Sequence, residues 1–577
     1  MKPSYRILLQ LMLLCLVVCL VYSPVFLAEP CLLDDAALLQ GLQGDARLDI
    51  NKILTPGSAF AYFRPMISLS YWCSKTLWDA SSLAMHIENV TFHVINAILI
   101  FWLIRISLTE DTKKTLRYLP LLGALLFAVH PVATESVNWI VGRTDLITGL
   151  FLFSTTIAIV VWHRNQKNWS LLLFAPLLLA CAILTKETAW GFMIVLPLLL
   201  TAPYNSREHT LGEFVGMFTR LERLLILTAI ALCFFLAALL LSFYPVIVLS
   251  ALLGLVVLYR KYRRHPMSRK AYLLITGLLL IISALVPYCV ELAHQNASGN
   301  YFSKYSRTIL LISFDFDNSI ARFSAALAFY IKKLFLPLPL SFAITDIATG
   351  YLFAGIAVII LVAFLFAWRS LAAILFLAGI VLILPVLPLL HGQIAWTPYA
   401  ERYIYISSGF WIASLSIGLG SLKHYSIRVS CAALCAVLIP VAAIITYKRS
   451  IVWQSNVTLF GDTAQKSPNH FDTRMLYMSA LLKADRLPEA LEQYRRTQAA
   501  VPYVRPKYIK ELAEGLYNRG LKLEAWEVLE TTIIKSQSSG ITHPLKIDNW
   551  QRMYKLHEKL RMELYPDLKS SLELNSE

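Results

Sequence analysis

Charged side chains at the borders of long apolar runs are the residues of this sequence best suited to chemistry. An ionisable group beside hydrocarbon is costly and persists mainly where it has a partner or a task. Arg offers phosphate a planar fork and Lys offers it a point charge. The sets therefore predict a charged, phosphate-holding site at a membrane face. They are Asp34-Asp35, the link from His130 through Glu135 to Arg143 and Asp145, Thr185-Lys186-Glu187, and Glu401-Arg402-Tyr403.

Each charged set also has a structural explanation. The acidic pair is alternatively the solvated start of a loop, and Glu135, Arg143 and Asp145 are alternatively an ion network that orients a loop. Lys186 and Arg402 are alternatively snorkelling anchors. All four sets are predicted on the same side of the membrane, and this convergence favours one functional site over four unrelated features.

A fifth polar set lies on one predicted helix face. His86, Asn89 and His93 follow the spacing i, i+3, i+7. Two histidines seven residues apart do not match the usual i, i+4 metal pair. The spacing favours a buried hydrogen-bonding stripe between helices.

The elements that must position these residues are membrane helices. Hydrophobic residues make up 57% of the 577 positions and charged residues 15%, which excludes an ordinary soluble globule. Apolar runs predict an all-α polytopic protein with about thirteen transmembrane helices. The predicted spans are 7–28, 85–104, 118–134, 145–162, 169–185, 190–203, 223–243, 245–259, 271–289, 350–367, 371–390, 403–420 and 429–447.

The net charge of +16 reflects topology and does not indicate a nucleic-acid partner, because the basic residues cluster in short links between spans. The densest link, from Arg260 to Lys270, is expected in the cytoplasm. An odd number of spans from a cytoplasmic N-terminus then places the C-terminal tail outside. In this topology residues 29–64 and 290–348 are external regions. The stretch Arg322 to Leu340 agrees with the topology only if it lies on the membrane without crossing it.

The tail, 448–577, has its own period. A helix-turn-helix pattern runs from Pro468 to Pro502, 34 residues later, and places Ala490 and Tyr494 within it. A related unit follows with Ala525. Length and small-residue positions are similar to a tetratricopeptide repeat, the alternative being an unrelated helical hairpin. The chain therefore divides into a membrane body, 1–447, and a soluble helical tail.

The ordered series of motifs resembles the TMTC family of membrane O-mannosyltransferases and their bacterial relatives within the GT-C superfamily. The stretch His130 to Asp145 is the most specific of them. The series is Leu33-Asp34-Asp35, Phe63-Arg64-Pro65, His86-x-x-Asn89-x-x-x-His93, the stretch from His130 to Asp145, Lys186-Glu187, Leu334 to Ser341, Ala400 to Tyr405, and Trp453 with the repeats. Two departures are the short repeat array and Leu33, where the family is expected to have an aromatic residue.

The resemblance implies a GT-C fold and inverting transfer of mannose or another hexose from a polyprenyl-phosphate carrier to a Ser or Thr hydroxyl of a protein. Asp35 is then the favoured base, with Asp34 orienting the acceptor or sugar. The lipid phosphate is then expected to bind Arg402, Lys186 and Arg143. Supporting or sugar contacts are expected from Glu135, Asp145, His130, Glu187, Glu401, Tyr403 and Arg64.

Several alternatives stay open at this stage. Some GT-C enzymes use a divalent cation, Mg²⁺ or Mn²⁺, whose ligands here would be Asp34 and Asp35. The acceptor is alternatively a glycan or a lipid, and a lipid-linked-sugar transporter is the rival from another class. The short array favours a bacterial inner-membrane protein with a periplasmic site and a tail that recruits protein or peptide; an endoplasmic-reticulum enzyme with a lumenal site is the alternative.

Overall fold

The computed structural model describes residues 3–43, 64–164, 169–201, 316–368, 370–390, 396–501, 505–538 and 548–565. The chain divides into two compact units, Met1–Gln454 and Ser455–Glu577. The boundary follows Gln454 rather than Tyr447, because the last long helix of the first unit continues to Val452.

Fifteen α-helices make up the described part of the first unit. They are α1 (Pro3–Val21), α2 (Asp35–Gln43), α3 (Pro65–Trp78), α4 (Ser82–Ser107), α5 (Glu110–Thr115), α6 (Leu119–Ala128), α7 (Thr134–Asn138), α8 (Arg143–Arg164), α9 (Trp169–Ile183), α10 (Phe192–Thr201), α11 (Phe316–Phe335), α12 (Tyr351–Trp368), α13 (Leu371–Val381), α14 (Tyr405–Ser421) and α15 (Tyr425–Val452). Helices α4, α6, α8 and α14 share one apolar core. Helix α3 was not predicted from the sequence.

The first unit is an integral membrane body. Six helical segments within the described ranges are long and apolar enough to cross a membrane, and a bent pair adds a seventh. They are Ser4–Val21, Ser82–Ser107, Ile140–Arg164, Leu371–Leu390, Glu401–Ser421 and Tyr425–Val452, with the bent pair Leu119–Ala128 and Pro131–Asn138. The predicted spans 223–243, 245–259 and 271–289 lie outside the described residues. The all-α polytopic architecture is thus confirmed.

The predicted helix 118–134 is interrupted. Helix α6 ends at Ala128, and a short 3₁₀ turn over Pro131–Ala133 precedes α7, bent by 46° from α6. Proline has no N–H for the helical ladder, which explains the break. A second 3₁₀ turn, Ile140–Gly142, leads into α8, and a Cβ on Gly142 would lie 2.6 Å from the Ser136 carbonyl oxygen. Glycine is therefore required for this close approach.

Helix α11 occupies the stretch expected to lie on the membrane. It is amphipathic, ends in Lys332 and Lys333, and is not among the candidate spans found in the described segments. An irregular segment follows it, in which Ile344 forms an isolated bridge with Tyr399. Residues 290–315 of the predicted external region fall outside the described ranges.

The second unit, considered by itself, is a set of helical hairpins. Its described helices are α16 (Asn456–Lys466), α17 (Phe471–Lys483), α18 (Leu487–Ala500), α19 (Pro506–Asn518), α20 (Lys522–Ser538) and α21 (Asp548–Leu564). Ala490 and Ala525 are fully buried, and Tyr494 Oη donates to the carbonyl oxygen of Val528 at 3.2 Å. These small residues let paired helices approach closely. Their assignment as tetratricopeptide repeats stays a prediction.

We expect Gly142→Ala to lower the free energy of unfolding of the membrane body by about 1–3 kcal/mol, because the new methyl group must displace backbone at Ser136. Thermal unfolding in detergent, followed by size-exclusion chromatography, measures the effect. Gly350→Ala is the control, because a Cβ there meets nothing within 4 Å. Equal thermal midpoints for the two variants would refute the close approach.

Candidate functional site

The two neighbouring aspartates have different surroundings. Asp34 is exposed, whereas only 1% of Asp35 is accessible. Asp35 Oδ2 accepts hydrogen bonds from the backbone N–H groups of Cys31 at 3.1 Å and Ile140 at 3.3 Å, and Oδ1 accepts one from Val141 at 3.1 Å. Asp35 therefore fastens the start of α2 to the link before α8.

Burial raises the pKa of the Asp35 carboxyl to about 7, partly opposed by these three backbone N–H groups and reinforced by the charge of Asp34. Three N–H donors favour the anion, while the loss of water disfavours it. The Asp35 carboxyl is therefore close to its titration point at neutral pH.

Arg402 is held by Glu135. One guanidinium nitrogen, Nη1, donates to Glu135 Oε1, and the Arg402 backbone N–H donates to Oε2 at 3.0 Å. The guanidinium also lies 5.2 Å from the ring centroid of Trp139, and Nη2 donates to Tyr403 Oη at 3.3 Å. This planar cation is fixed in orientation before any ligand arrives, which is what an oriented phosphate contact needs.

Two further cations have acidic partners of their own. Lys186 Nζ donates to Asp145 Oδ1 at 2.6 Å, and both side chains are largely buried. Arg64 forms a two-pronged pair with Glu187, with Nε to Oε1 at 3.0 Å and Nη2 to Oε2 at 2.7 Å. These pairs join the start of α3 and α8 to the turn between α9 and α10.

The three cations lie near one another. Burial lowers the pKa of Lys186, the positive charges of Arg64 and Arg402 lower it further, and Asp145 opposes both effects. Arg402 in turn interacts electrostatically with Asp145. We call Arg64, Lys186 and Arg402 the cation cluster. Each of the three cations is paired with one carboxylate, so the cluster offers a phosphate ester oriented N–H donors and not an excess of positive charge.

Three residues expected in the site have structural partners instead. Arg143 is completely enclosed, donates to Ser74 Oγ and Glu88 Oε2 at 2.9 Å each, and lies over the Tyr71 ring. These contacts do not favour the predicted phosphate contact of Arg143, because its Nη1 and Nη2 donors are already committed to Ser74 and Glu88. Glu88 was missed, although an acid inside a predicted apolar span was the available signal.

His130 and Glu401 form hydrogen bonds with the end of α11 and with the segment after it. His130 Nε2 lies 2.9 Å from the Leu334 carbonyl oxygen. Glu401 Oε1 accepts from Lys333 Nζ at 2.8 Å and from the Ser341 backbone N–H at 3.2 Å, and both charged side chains are 2% exposed. Lys333 was not predicted to have this partner, although it belongs to the Lys332-Lys333 pair of α11.

The polar face of α4 forms the expected interhelical stripe. Asn89 Nδ2 donates to the Trp139 carbonyl oxygen at 2.9 Å. His93 Nδ1 lies 2.8 Å from Tyr405 Oη, and its Nε2 lies 2.9 Å from the Ala128 carbonyl oxygen. The stripe prediction is confirmed for these two residues.

The acidic pair does not fit a shared divalent cation. Three backbone N–H groups occupy three of the roughly four acceptor positions of the Asp35 carboxylate, and only 1% of the residue is accessible, which leaves little room to share a metal with Asp34. Within the described ranges there is also no group of three or more His, Cys, Asp or Glu arranged to hold a metal. No step is therefore assigned to Mg²⁺ or Mn²⁺.

The fold and the site together define an all-α integral membrane protein with a cation cluster at its helix ends. The chain is similar to curated protein O-mannosyl-transferases: 27% identical over 127 residues to TMTC3 of Mus musculus, 30% over 138 residues to Tmtc1 of Drosophila melanogaster and 28% over 140 residues to TMTC2 of Homo sapiens. The matches cover 22–24% of this chain and only 13–16% of those relatives' lengths. They confirm the resemblance indicated by the ordered motifs.

No protein-family model matches the chain. Among solved structures, the Archaeoglobus fulgidus oligosaccharyltransferase tethered with an acceptor peptide aligns at a TM-score of 0.38 and 12% identity, covering 78% of this chain and 55% of that chain. Its apo form gives the same TM-score of 0.38.

We expect Glu135→Gln to lower the free energy of unfolding by about 3–5 kcal/mol, because it leaves Arg402 buried without its counter-charge. Adding Arg402→Met should recover part of the loss. Denaturant titration in detergent measures both. The control is Glu110→Gln, which breaks the exposed pair with Lys113 and should cost less than about 1 kcal/mol. Similar losses in the two single variants would contradict the buried pairing.

The Asp35 carboxyl predicts a pH dependence of stability. Its pKa in the folded protein is raised from 3.8 to about 7, so its contribution to the free energy of unfolding is full at low pH and is lost as the pH rises through 7. We expect the thermal midpoint of wild type, measured relative to that of Asp35→Asn, to decrease as the pH is raised from about 4 to about 7. Asp79→Asn, at an exposed aspartate, should show no such change. A constant difference between wild type and Asp35→Asn would contradict the raised pKa.

Proposed function

We propose that this protein is a GT-C membrane glycosyltransferase. It transfers a hexose, mannose in the first instance, from a polyprenyl-phosphate carrier to a Ser or Thr hydroxyl of an extracytoplasmic protein, with inversion. The observation that carries the proposal is the cation cluster, in which Glu135 and Asp145 hold Arg402 and Lys186 on the two sides of the link that Asp35 binds. The similarity to proteins named O-mannosyl-transferases supports the same class.

The cations serve the leaving group. As the bond between the anomeric carbon and the phosphate oxygen breaks, negative charge grows on the phosphate. Arg402 and Lys186 are held in place by Glu135 and Asp145, so they compensate that charge without reorganising. The leaving phosphate is a stable anion and needs no acid. Arg64 contributes at the edge of the cluster, where its pair with Glu187 is partly exposed.

The surroundings of the aspartates favour exchanging the roles that the sequence predicted for them. The sequence favoured Asp35 as the base, but its carboxylate is committed to three backbone N–H groups. Asp34 is exposed on the same loop. We therefore assign Asp34 to accept the proton of the acceptor hydroxyl while that oxygen bonds to the anomeric carbon, a contribution of ~10²–10⁴-fold. Asp35 is the positioning residue that holds the loop.

The second unit supplies a surface for the acceptor. Its paired helices, with buried alanines at the crossings, are suited to peptide binding if they stack as tetratricopeptide repeats. We propose that the second unit is extracytoplasmic, because an odd number of predicted spans from a cytoplasmic N-terminus places the tail outside. A bacterial inner membrane with a periplasmic site stays a prediction from the sequence, and alkylation of single cysteines placed in the second unit would test the side.

Purified wild type should transfer radiolabelled hexose from at least one donor in a panel of polyprenyl-phosphate hexoses to peptides or to extracytoplasmic protein. We expect Asp34→Asn to lower kcat by ~10²-fold or more with little change in the donor KM, because it removes only the base. Asp35→Asn should lower activity and loosen the loop. Arg402→Lys should raise the donor KM and lower kcat, since Lys lacks the two-pronged fork.

Asp79→Asn is the matched control for the aspartate variants and should keep full activity, because this exposed residue pairs only with Lys75 among the described contacts. Full activity in Asp34→Asn would reject it as the base. Donor binding without transfer in wild type, combined with uptake of the lipid-linked sugar into vesicles, would favour a transporter over an enzyme.

A further inference from the structure

Several buried polar atoms among the described residues have no hydrogen-bond partner, and two of them belong to side chains that contact Arg402 or Lys186. They are the indole nitrogen Nε1 of Trp139 and the carboxylate oxygen Oδ2 of Asp145. Trp139 is 5% exposed and Asp145 2%. Buried polar groups in folded proteins are nearly always paired, and one left unpaired at a site calls for an explanation. Here one donor and one acceptor are left at the same site.

Both atoms are held in place by their surroundings. The Trp139 carbonyl oxygen accepts from Asn89 Nδ2 at 2.9 Å and from the Gly142 backbone N–H at 3.0 Å, and its ring meets Phe342 edge-on at 5.4 Å. Asp145 is fixed through Oδ1, which accepts from Lys186 at 2.6 Å. The carbonyl contacts fix the Trp139 backbone, its ring cannot turn without losing Phe342 and Arg402, and Asp145 cannot turn without losing Lys186.

Arg402 connects the two positions. Its guanidinium lies 5.2 Å from the Trp139 ring centroid and interacts electrostatically with Asp145, which also holds Lys186. The unpaired donor and acceptor therefore border the two cations proposed to bind the phosphate. In a hexosyl phosphate the sugar is joined directly to that phosphate, so its hydroxyl groups must lie within a few bonds of the cations.

A sugar hydroxyl both donates and accepts a hydrogen bond, which complements one unpaired acceptor and one unpaired donor. We propose that Trp139 Nε1 and Asp145 Oδ2 form the sugar subsite, binding hydroxyl groups of the hexose while Arg402 and Lys186 hold the phosphate. This inference rests on the proposed function, and it adds a specificity-determining residue, Trp139, which lies within the stretch from His130 to Asp145 but had no role assigned from the sequence.

Trp139→Phe is the sharpest test, because it removes the N–H and keeps a ring beneath Arg402. We compare binding of two probes in detergent: a short-chain polyprenyl-phosphate mannose, and the same polyprenyl phosphate without sugar. Wild type should bind the mannosyl probe more tightly. The variant should lose about 10-fold in affinity for the mannosyl probe and nothing for the bare phosphate.

Thermal stability separates a sugar contact from a structural role. Trp139→Phe loses buried ring volume as well as the N–H, so the thermal midpoint of the ligand-free variant should fall by no more than that of Trp162→Phe, which loses the same volume at another buried position. A structural role for the Trp139 indole N–H would lower the midpoint of Trp139→Phe below that of Trp162→Phe. Trp162→Phe is the matched control, a buried tryptophan near the far end of α8 from Asp145, and it should bind both probes as wild type does.

Asp145→Asn provides the second measurement. It keeps an oxygen for Lys186 but replaces the unpaired acceptor by an amide N–H₂, so it should weaken the mannosyl probe more than the bare phosphate. Selective loss of the mannosyl probe in both variants supports the subsite. Equal loss for the two probes, or none in Trp139→Phe, overturns it. Transfer activity is judged separately: a wild type that binds sugar selectively but transfers nothing refutes the proposed enzyme and leaves the subsite standing.

Discussion

The burial of ionised side chains beside hydrocarbon is the constraint around which the described part of this membrane body is organised. An isolated charge there is costly, so each buried charge must meet an opposite charge or several hydrogen-bond donors. Glu135 with Arg402, Asp145 with Lys186 and Glu401 with Lys333 obey this rule with partners far away in the sequence. Each pair therefore joins two elements and sets where they meet.

The link between α7 and α8 is held by several further contacts. Asp35 fastens it to the first loop, Asn89 holds the Trp139 carbonyl oxygen, and Gly142 lets its backbone approach Ser136. A short connection with so many fixed contacts is rigid, and rigidity is what a preorganised site requires. The same rigidity leaves Trp139 Nε1 and Asp145 Oδ2 without a hydrogen-bond partner.

Residues that are neighbours in the chain have different surroundings and therefore different roles. Asp34 and Asp35 are adjacent carboxylates, yet the second is enclosed by backbone N–H groups and the first is exposed. Arg143 and Asp145 lie on the same turn of α8, but Arg143 is enclosed with Glu88 while Asp145 reaches Lys186. One turn of helix is enough to separate a packing residue from a site residue, because side chains two positions apart point in different directions.

The sequence by itself determined that the chain crosses a membrane through many helices, because apolar runs long enough to span hydrocarbon are a local property. It also determined the candidate charges, such as Lys186 and Arg402, since an ionisable residue at an apolar border stands out without any partner being known. The break after Ala128 was missed as a helix end, although the His130-Pro131 pair was present. Only the tertiary structure decided which charges meet. Glu135 and Arg402 are 267 positions apart, and no local pattern encodes a contact made by packing distant helices.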